Sequence, residues 1–264
     1  MTADWLVPDW PAPPGVKGLF TTRSGGVSAP PFDSLNLGDH VRDEPAAVAA
    51  NRERLRLAAG ARPVFLNQVH GLSVAQLDEQ IPDGFQADAC VGSRTGVVCT
   101  VMVADCLPVL WCRADGRQVA ASHAGWRGLA GEGGRGILEA TLEAMRHAAL
   151  PSEGATDPGD LLVWLGPCIG PRAFEVGAEV RAAFVAHDAA AQSCFVVHGP
   201  GKYLADLPAL ARLRLKAMGV SRIHGNDGSD AWCTFTDSSR FFSHRRDASR
   251  LGSTGRMAAC IWKT

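Results

Sequence analysis

Short apolar runs alternate along the chain with segments of helical periodicity. The apolar runs end at glycine, proline or an Asp-Gly pair, which is typical of buried strands. Segments whose apolar residues recur every three or four positions predict helices. The predicted strands are GVKGLF, PVFLNQVHG, two runs within ADACVGSRTGVVCTVMVADC, the arms on either side of Asp115-Gly116, DLLVWLGP and MAACIWK. The predicted helices are DEPAAVAANRERLRLAAG, GILEATLEAMRHAAL, EVGAEVRAAFVAH and DLPALARLRLKAMG.

Two of the predicted helices carry recognisable end signals. Asp43 can cap the first helix, Pro45 suits its first turn, and Gly60 can end it. In the last predicted helix, Asp206 can act as the N-cap and Gly219 as the terminator.

Strands and helices are mixed without a regular βαβ rhythm, and no linker separates them. This order favours an α/β fold (α+β-like) in which layered mixed β-sheets are flanked by helices. We expect residues 1–264 to form a single domain.

The pair Asp115-Gly116 predicts a β-hairpin that brings a thiol and an imidazole together. A two-residue turn at this pair fixes the register, so that Cys106 lies opposite Gly125. His123 then lies diagonally across from Cys106, at a Cα distance of ~7–8 Å. Pro108 argues against this register, because proline within a strand is typical of a bulge or a strand end, and a bulge would shift the pairing.

Two chemistries use such a pair. In one, His123 removes the proton of Cys106 and the thiolate attacks a carbonyl or amidine carbon. In the other, both side chains bind zinc, and His70 before Gly71 is the candidate third ligand. Taken singly, Cys106 could be a buried apolar thiol, His123 a core histidine and His70 a turn residue.

Composition limits the remaining possibilities. The formal charge of −1 over 264 residues argues against nucleic-acid binding. The first residues lack a signal-peptide pattern, and no apolar run approaches the ~20 residues that span a bilayer. Eight cysteines occur without a C-x-x-C pair. We therefore expect a cytoplasmic protein with reduced thiols and no membrane association. We also expect a small-molecule substrate and a monomer, neither of which follows from the composition.

Seven motifs in order resemble one bacterial family. They are LNQVHG, QADACV, MVADCLPVLW, SHAGWRGLAG, LGPCIGPRAFEVG, KYLADLPALARLRLKAMGV and FFSHRRD…TGRMA. The pattern is similar to that of the YfiH-like family, also called the multicopper polyphenol oxidase or laccase-domain family. The resemblance extends over nearly the whole chain, although the links after GWRGLAG and after RRD are longer than usual.

The resemblance implies a layered α/β fold shared with cysteine hydrolases. It also implies a zinc site at His70, Cys106 and His123. The implied activity is that of a purine nucleoside phosphorylase acting on adenosine, inosine, guanosine and S-methyl-5′-thioadenosine, with hydrolytic deamination of adenosine to inosine. Copper and polyphenol oxidation stay open as an alternative, although no His-x-His pair occurs and Met102, the nearest axial candidate, fits a core position.

Further roles follow from this chemistry. Asp105 is the carboxylate next to Cys106, and it can either transfer protons during deamination or orient a ligand histidine. Guanidinium and amide donors suit phosphate, and the candidates are Arg23, Asn36, Gln68 and Arg127, with Arg245 or Arg246 as substitutes. A metal-free Cys106–His123 hydrolase or deamidase and a non-enzymatic binding module are the competing functions.

Overall fold

The computed structural model describes residues 4–78, 80–148 and 156–264 of the chain. Its strands are β1 (Val16–Phe20), β2 (Arg62–Val64), β3 (Val74–Gln76), β4 (Ala89–Gly92), β5 (Val97–Val103), β6 (Leu107–Arg113), β7 (Val119–Ala124), β8 (Leu161–Leu165), β9 (Glu175–Gly177), β10 (Phe195–Val197), β11 (Lys202–Ala205), β12 (Arg222–Gly225) and β13 (Met257–Lys263). Its α-helices are α1 (Pro45–Ala59), α2 (Trp126–Ala130), α3 (Ile137–Ala148), α4 (Ala178–Val185), α5 (Leu207–Ala217) and α6 (His244–Leu251). The end of the predicted helix GILEATLEAMRHAAL, after Ala148, lies outside the described residues.

Two sheets pack face to face and helices cover their outer faces. A four-stranded sheet has the order β1-β13-β5-β2, and a six-stranded sheet has the order β12-β8-β6-β7-β4-β3. Both mix parallel and antiparallel pairs. A small third sheet has the order β10-β11-β9. The predicted mixed, layered α/β architecture is confirmed, and among the described residues no helix is long and apolar enough to cross a membrane.

Strand β5 explains why its sequence is apolar at nearly every position. Val101 and Val103 face the core between the two sheets, whereas Val98 and Met102 face the core beneath α1. A strand buried on both faces needs apolar residues on both, so the alternation of a half-exposed strand is absent. Met102 therefore has the core position that the sequence favoured.

The predicted helix ends are partly confirmed. Gly60 ends α1 in the left-handed region, and the Asp206 side chain caps α5 by accepting a hydrogen bond from the Ala209 amide. The prediction for Asp43 is wrong, because the N-cap of α1 is Glu44. Asp43 instead accepts hydrogen bonds from Ser28 Oγ and Asn36 Nδ2, so its carboxylate organises the preceding loop.

The predicted strand PVFLNQVHG is mostly irregular. Only Arg62–Val64 forms a strand, and the chain then takes its hydrogen bonds from a neighbouring loop. The Phe65 amide donates to the Asp83 side chain, and the Asn67 amide donates to the Phe85 carbonyl. These loop partners replace a sheet ladder, so the segment is free to curve before His70.

Candidate active site and metal centre

Residues 101–112, VMVADCLPVLWC, belong to two strands in two different sheets. β5 ends at Val103, β6 begins at Leu107, and the link Ala104–Cys106 crosses from one sheet to the other. Asp105 has φ +89°, a conformation rare for a residue with a side chain. The link that carries Asp105 and Cys106 therefore crosses from one sheet to the other, and this crossing positions Cys106.

Three donors hold the Asp105 carboxylate. Thr234 Oγ1 donates at 2.6 Å, Ser243 Oγ at 3.0 Å and the Arg245 amide at 2.6 Å. Hydrogen bonds of this number stabilise the uncommon backbone conformation of Asp105. Asp105 thus fixes the backbone that carries Cys106. Its carboxylate forms no hydrogen bond with His70 or His123. Its predicted proton transfer stays a prediction.

The hairpin register is the predicted one. Leu107 pairs with Ala124 and Pro108 pairs with His123, which places Cys106 opposite Gly125 beyond the end of the ladder. The expected bulge at Pro108 is absent. Its carbonyl accepts a hydrogen bond from the Gly166 amide of the neighbouring chain segment, so the missing N–H faces that side and not β7.

The backbone around His70 is held by Asp88. His70 has φ +61°, and the Asp88 carboxylate accepts hydrogen bonds from the amides of Val69 (3.1 Å), His70 (2.8 Å) and Gly71 (2.7 Å). Three donors on one buried carboxylate define the turn closely. The His70 side chain is exposed, so this hydrogen-bonded backbone turn presents its imidazole to solvent.

Asp88 also orients His123. Its Oδ1 lies 2.9 Å from His123 Nδ1, and both side chains are almost completely buried. This bond assigns a proton to Nδ1 and leaves Nε2 as the nitrogen that is free to bind a ligand. Metal-binding histidines usually carry such a carboxylate partner. From the sequence, Asp105 is one candidate for orienting a ligand histidine. In the structure, Asp88 orients His123.

His70, Cys106 and His123 form a compact cluster. Their ligand atoms lie within 4.8 Å of one another, with Cys106 Sγ 3.6 Å from His70 Nε2. Among the described residues, these three side chains are the candidate ligands of a metal ion. Gly125 makes room for it, because a Cβ there would lie 2.6 Å from His70 Cδ2 and 3.0 Å from Cys106 Sγ.

The charges of the cluster support a thiolate. Burial raises the pKa of Cys106, but the positive charge of His123 and hydrogen bonds from both histidines outweigh it and lower the pKa to about 6. Burial lowers the pKa of His123, whereas the Cys106 thiolate and Asp88 raise the pKa to about 9. Without a metal ion, the pair is thus a thiolate beside an imidazolium near neutral pH.

Two clefts meet at the cluster, and we call them the polar cleft and the apolar cleft. The polar cleft encloses about 340 Å³ and the apolar cleft about 130 Å³. They share His70, Ala104, Cys106, Arg127 and His244 as a common wall. Beyond that wall the polar cleft is lined by residues that include His40, Gln68 and Arg256. The apolar cleft is lined by Asp105, Arg245 and a group of apolar residues, namely Trp126, Ile169, Phe174 and Leu207.

Two of the four predicted phosphate ligands lie at the clefts. Arg127 lines both, and its guanidinium stacks over the Trp126 ring at 4.5 Å from the centroid. Gln68 lines the polar cleft, but both ends of its amide are hydrogen-bonded to the backbone of Met102. Gln68 therefore ties the His70 segment to β5.

The other two predicted ligands lie elsewhere. Arg23 forms an ion pair with Asp33 at 3.1 Å and lines neither cleft. Asn36 is fully buried, and its side chain bonds Gly38, Asp43 and the Arg256 amide. The structure thus gives both residues structural partners and does not bring them to the cluster.

Several residues of the site escaped the sequence reasoning. They are Asp88, His40, His244 and Arg256. Asp88 directly precedes β4, whose pairing with β7 aligns it with His123, so a reliable β4–β7 register would have identified it. Of the two substitutes, Arg245 lines the apolar cleft, whereas Arg246 is held by backbone carbonyls and Asp247.

Comparison with known proteins assigns the family. A family model described as multi-copper polyphenol oxidoreductase laccase matches residues 17–264. The chain belongs to this family. Relatives in this laccase-domain family include the purine nucleoside phosphorylase YfiH of Escherichia coli, 50% identical over 260 residues that cover 97% of this chain and 98% of the relative.

A second relative and a solved structure agree. A purine nucleoside phosphorylase of Pseudomonas aeruginosa is 52% identical over 260 residues, covering 98% of each chain. The crystal structure of a Neisseria meningitidis protein superposes with a TM-score of 0.88 at 46% identity, covering 98% of this chain and 99% of that one. The predicted family resemblance is confirmed.

Proposed function

We propose that this protein is a zinc-dependent purine nucleoside enzyme that cleaves the N-glycosidic bond with phosphate. The observation that carries the proposal is the His70–Cys106–His123 cluster at the junction of a polar and an apolar cleft. Relatives named purine nucleoside phosphorylase match at about half identity over nearly their full length, which supports the same reaction class.

The residues of the cluster fit zinc. A thiolate and two imidazoles are a typical three-ligand set for a catalytic zinc site, which keeps one position open. The Asp88 bond turns His123 Nε2 toward the cluster, and the lowered pKa of Cys106 supplies the thiolate. When bound, zinc supplies Lewis acidity that lowers the pKa of a ligated water toward ~7, which suits hydrolytic deamination.

The two clefts divide the substrate by polarity. Trp126, Phe174 and Leu207 offer an apolar surface for an uncharged purine ring or a methylthio group. Arg127, on the shared wall, reaches both clefts and can donate to the sugar or to phosphate. In phosphorolysis a phosphate oxygen forms a bond to C1′ while the C1′–N9 bond breaks, and the proton of the phosphate ends on the purine. The protein must therefore hold base and phosphate on opposite sides of the sugar.

We further propose adenosine, inosine, guanosine and S-methyl-5′-thioadenosine as phosphorolysis substrates, and adenosine as a deamination substrate. The cluster favours deamination because mixed His/Cys zinc sites perform it in other deaminases. Asp105 lines the apolar cleft and is the proposed proton carrier.

Product chromatography tests the proposal. Protein purified without chelator is incubated with inosine or adenosine, with and without phosphate. We expect hypoxanthine and ribose 1-phosphate from inosine only with phosphate, and inosine from adenosine without it. Absence of every one of these products would refute the function. Metal analysis should find about one zinc ion per chain, lost in Cys106→Ala and His70→Ala.

A metal-free Cys106–His123 hydrolase is the second candidate, favoured by the lowered pKa of Cys106. If the protein is such a hydrolase, its hydrolytic activity should be fully retained after a chelator removes metal ions and in the His70→Ala variant. Copper-dependent polyphenol oxidation is the third, and it rests on the description of the family model. Against it, the Met102 side chain is buried and packs in the core beneath α1.

A further inference from the structure

Arg256 carries a positive charge into the polar cleft without a carboxylate partner. Its Nη1 donates to the carbonyls of Thr254 (3.0 Å) and Gly255 (3.2 Å). Among the described residues, no aspartate or glutamate forms an ion pair with it. Burial lowers the pKa of this guanidinium, opposed by the nearby Cys106 and Asp105, and the group stays charged at neutral pH. Cys106 and Asp105 act on this charge through space, but among the described residues neither forms an ion pair or a hydrogen bond with the guanidinium, which leaves it able to bind an anion in the cleft.

The position of Arg256 is built by its neighbours. Its amide donates to the buried Asn36 Oδ1 at 2.8 Å, which anchors the backbone at the start of β13. Gly38 lies against the side chain, because a Cβ there would be 2.7 Å from Arg256 Cγ and 3.4 Å from His40 Cε1. Gly38 thus leaves room for the Arg256 side chain, which lines the polar cleft.

Two imidazoles line the same cleft. His40 lies on the loop that follows Gly38, with Asp39 3.7 Å from its Nδ1. His244 begins α6 and belongs to the wall shared by both clefts. An arginine fork flanked by two ring N–H donors matches the several oxygens of a tetrahedral oxyanion.

We propose that Arg256, with His40 and His244, forms the phosphate subsite of this enzyme. The inference rests on the proposed phosphorolysis and deepens it, because it places phosphate in the polar cleft and leaves the apolar cleft to the base. Arg256 then neutralises the attacking phosphate and aims one oxygen at C1′, across the wall formed by His70, Cys106 and Arg127. Deamination consumes no phosphate, so it does not need this subsite.

Direct binding of inorganic phosphate to the zinc-loaded protein is the first test. Titration calorimetry compares the wild type with Arg256→Met and with Arg94→Met, an exposed arginine in neither cleft. We expect Arg256→Met to raise the dissociation constant for phosphate about 10–100-fold, as for loss of a charge-assisted bidentate contact. Arg94→Met should leave it unchanged.

A second variant guards against loss of folding. Gly38→Ala keeps the charge but displaces the Arg256 side chain, so phosphate binding should weaken while the melting temperature and zinc content stay close to those of the wild type. In turnover, both variants should raise the KM for phosphate with inosine by a larger factor than they change the rate of adenosine deamination.

Each outcome decides one question. Unchanged phosphate affinity in a folded Arg256→Met protein overturns the subsite, and so does a loss confined to Arg127→Met, which would place phosphate on the shared wall. If phosphate binds through Arg256 but no nucleoside is cleaved, the proposed function fails and the subsite stands.

Discussion

The Asp88 carboxylate is hydrogen-bonded both to His123 Nδ1 at 2.9 Å and to the His70 amide at 2.8 Å. One buried side chain thus orients two of the three candidate metal ligands from outside the ligand cluster. Burial raises the pKa of Asp88, but the bonds from His123 and from the backbone amides outweigh it and hold the pKa below its ordinary value.

Asp88→Asn should weaken zinc binding about 10–100-fold, because His123 loses its anionic partner. The same change places an amide N–H against backbone donors, so the free energy of unfolding should fall by about 3 kcal/mol. Competition with a chromophoric chelator measures the first effect, and urea unfolding measures the second. Asp9→Asn, at an exposed position, is the matched control. Wild-type zinc affinity in Asp88→Asn would contradict the orienting role.

Gly125→Ala should distort the cluster while the fold survives. The added Cβ would lie 2.6 Å from His70 Cδ2, well inside ordinary contact distance, so the imidazole must move. We expect zinc affinity to fall about tenfold or more through this displacement of a ligand. Gly159→Ala, where the new Cβ meets only the Asp157 side chain, should bind zinc normally. Equal affinities in the two variants would show that the cluster has more room than the geometry indicates.

Cys106 in metal-free protein should react with iodoacetamide from unusually low pH. The thiolate is the reactive form, so the rate should rise with pH through a midpoint near 6, the lowered pKa. His123→Gln removes the positive charge and moves the midpoint upward, so the rate at pH 7 should drop about tenfold or more. Peptide mapping distinguishes Cys106 from the other cysteines, which are buried. A wild-type midpoint above pH 8 would exclude the thiolate–imidazolium pair.

Asp105→Asn separates the two roles of Asp105. If its carboxylate mainly holds the link that carries Cys106, zinc affinity and both activities should fall together, and we expect this result from its three hydrogen bonds. If it transfers protons, deamination alone should fall while zinc affinity and phosphorolysis persist. Rates of both reactions on zinc-loaded protein, normalised to metal content, distinguish these outcomes.

The Cys106–His123 part of the site was predictable because it is local. A two-residue turn at Asp115-Gly116 fixes the pairing of β6 with β7, and the observed register is the one this turn dictates. The core position of Met102 was likewise predictable from its immediate neighbours, because it lies between valines in an apolar run.

The remainder of the site depends on contacts between distant segments. Asp88 meets His123 across 35 positions, and Arg256 reaches the cleft from the position just before the last strand. Arg23 had the right chemistry for phosphate, but Asp33 and the Ser238 carbonyl hold it elsewhere. Residue type alone could not show that Arg256, and not Arg23, lines the cleft. The packing of the sheets decides which of the two guanidinium groups has a carboxylate partner.

The three-residue crossing Ala104–Cys106 also determines where this chain tolerates changes in length. It joins strands of two different sheets with only three residues, so we expect one inserted or deleted residue to change the spacing between β5 and β6 or to move the Cys106 thiol away from both imidazoles. Insertions that preserve function should therefore accumulate in other connections, such as the glycine-rich turn between α2 and α3, and be absent from this one.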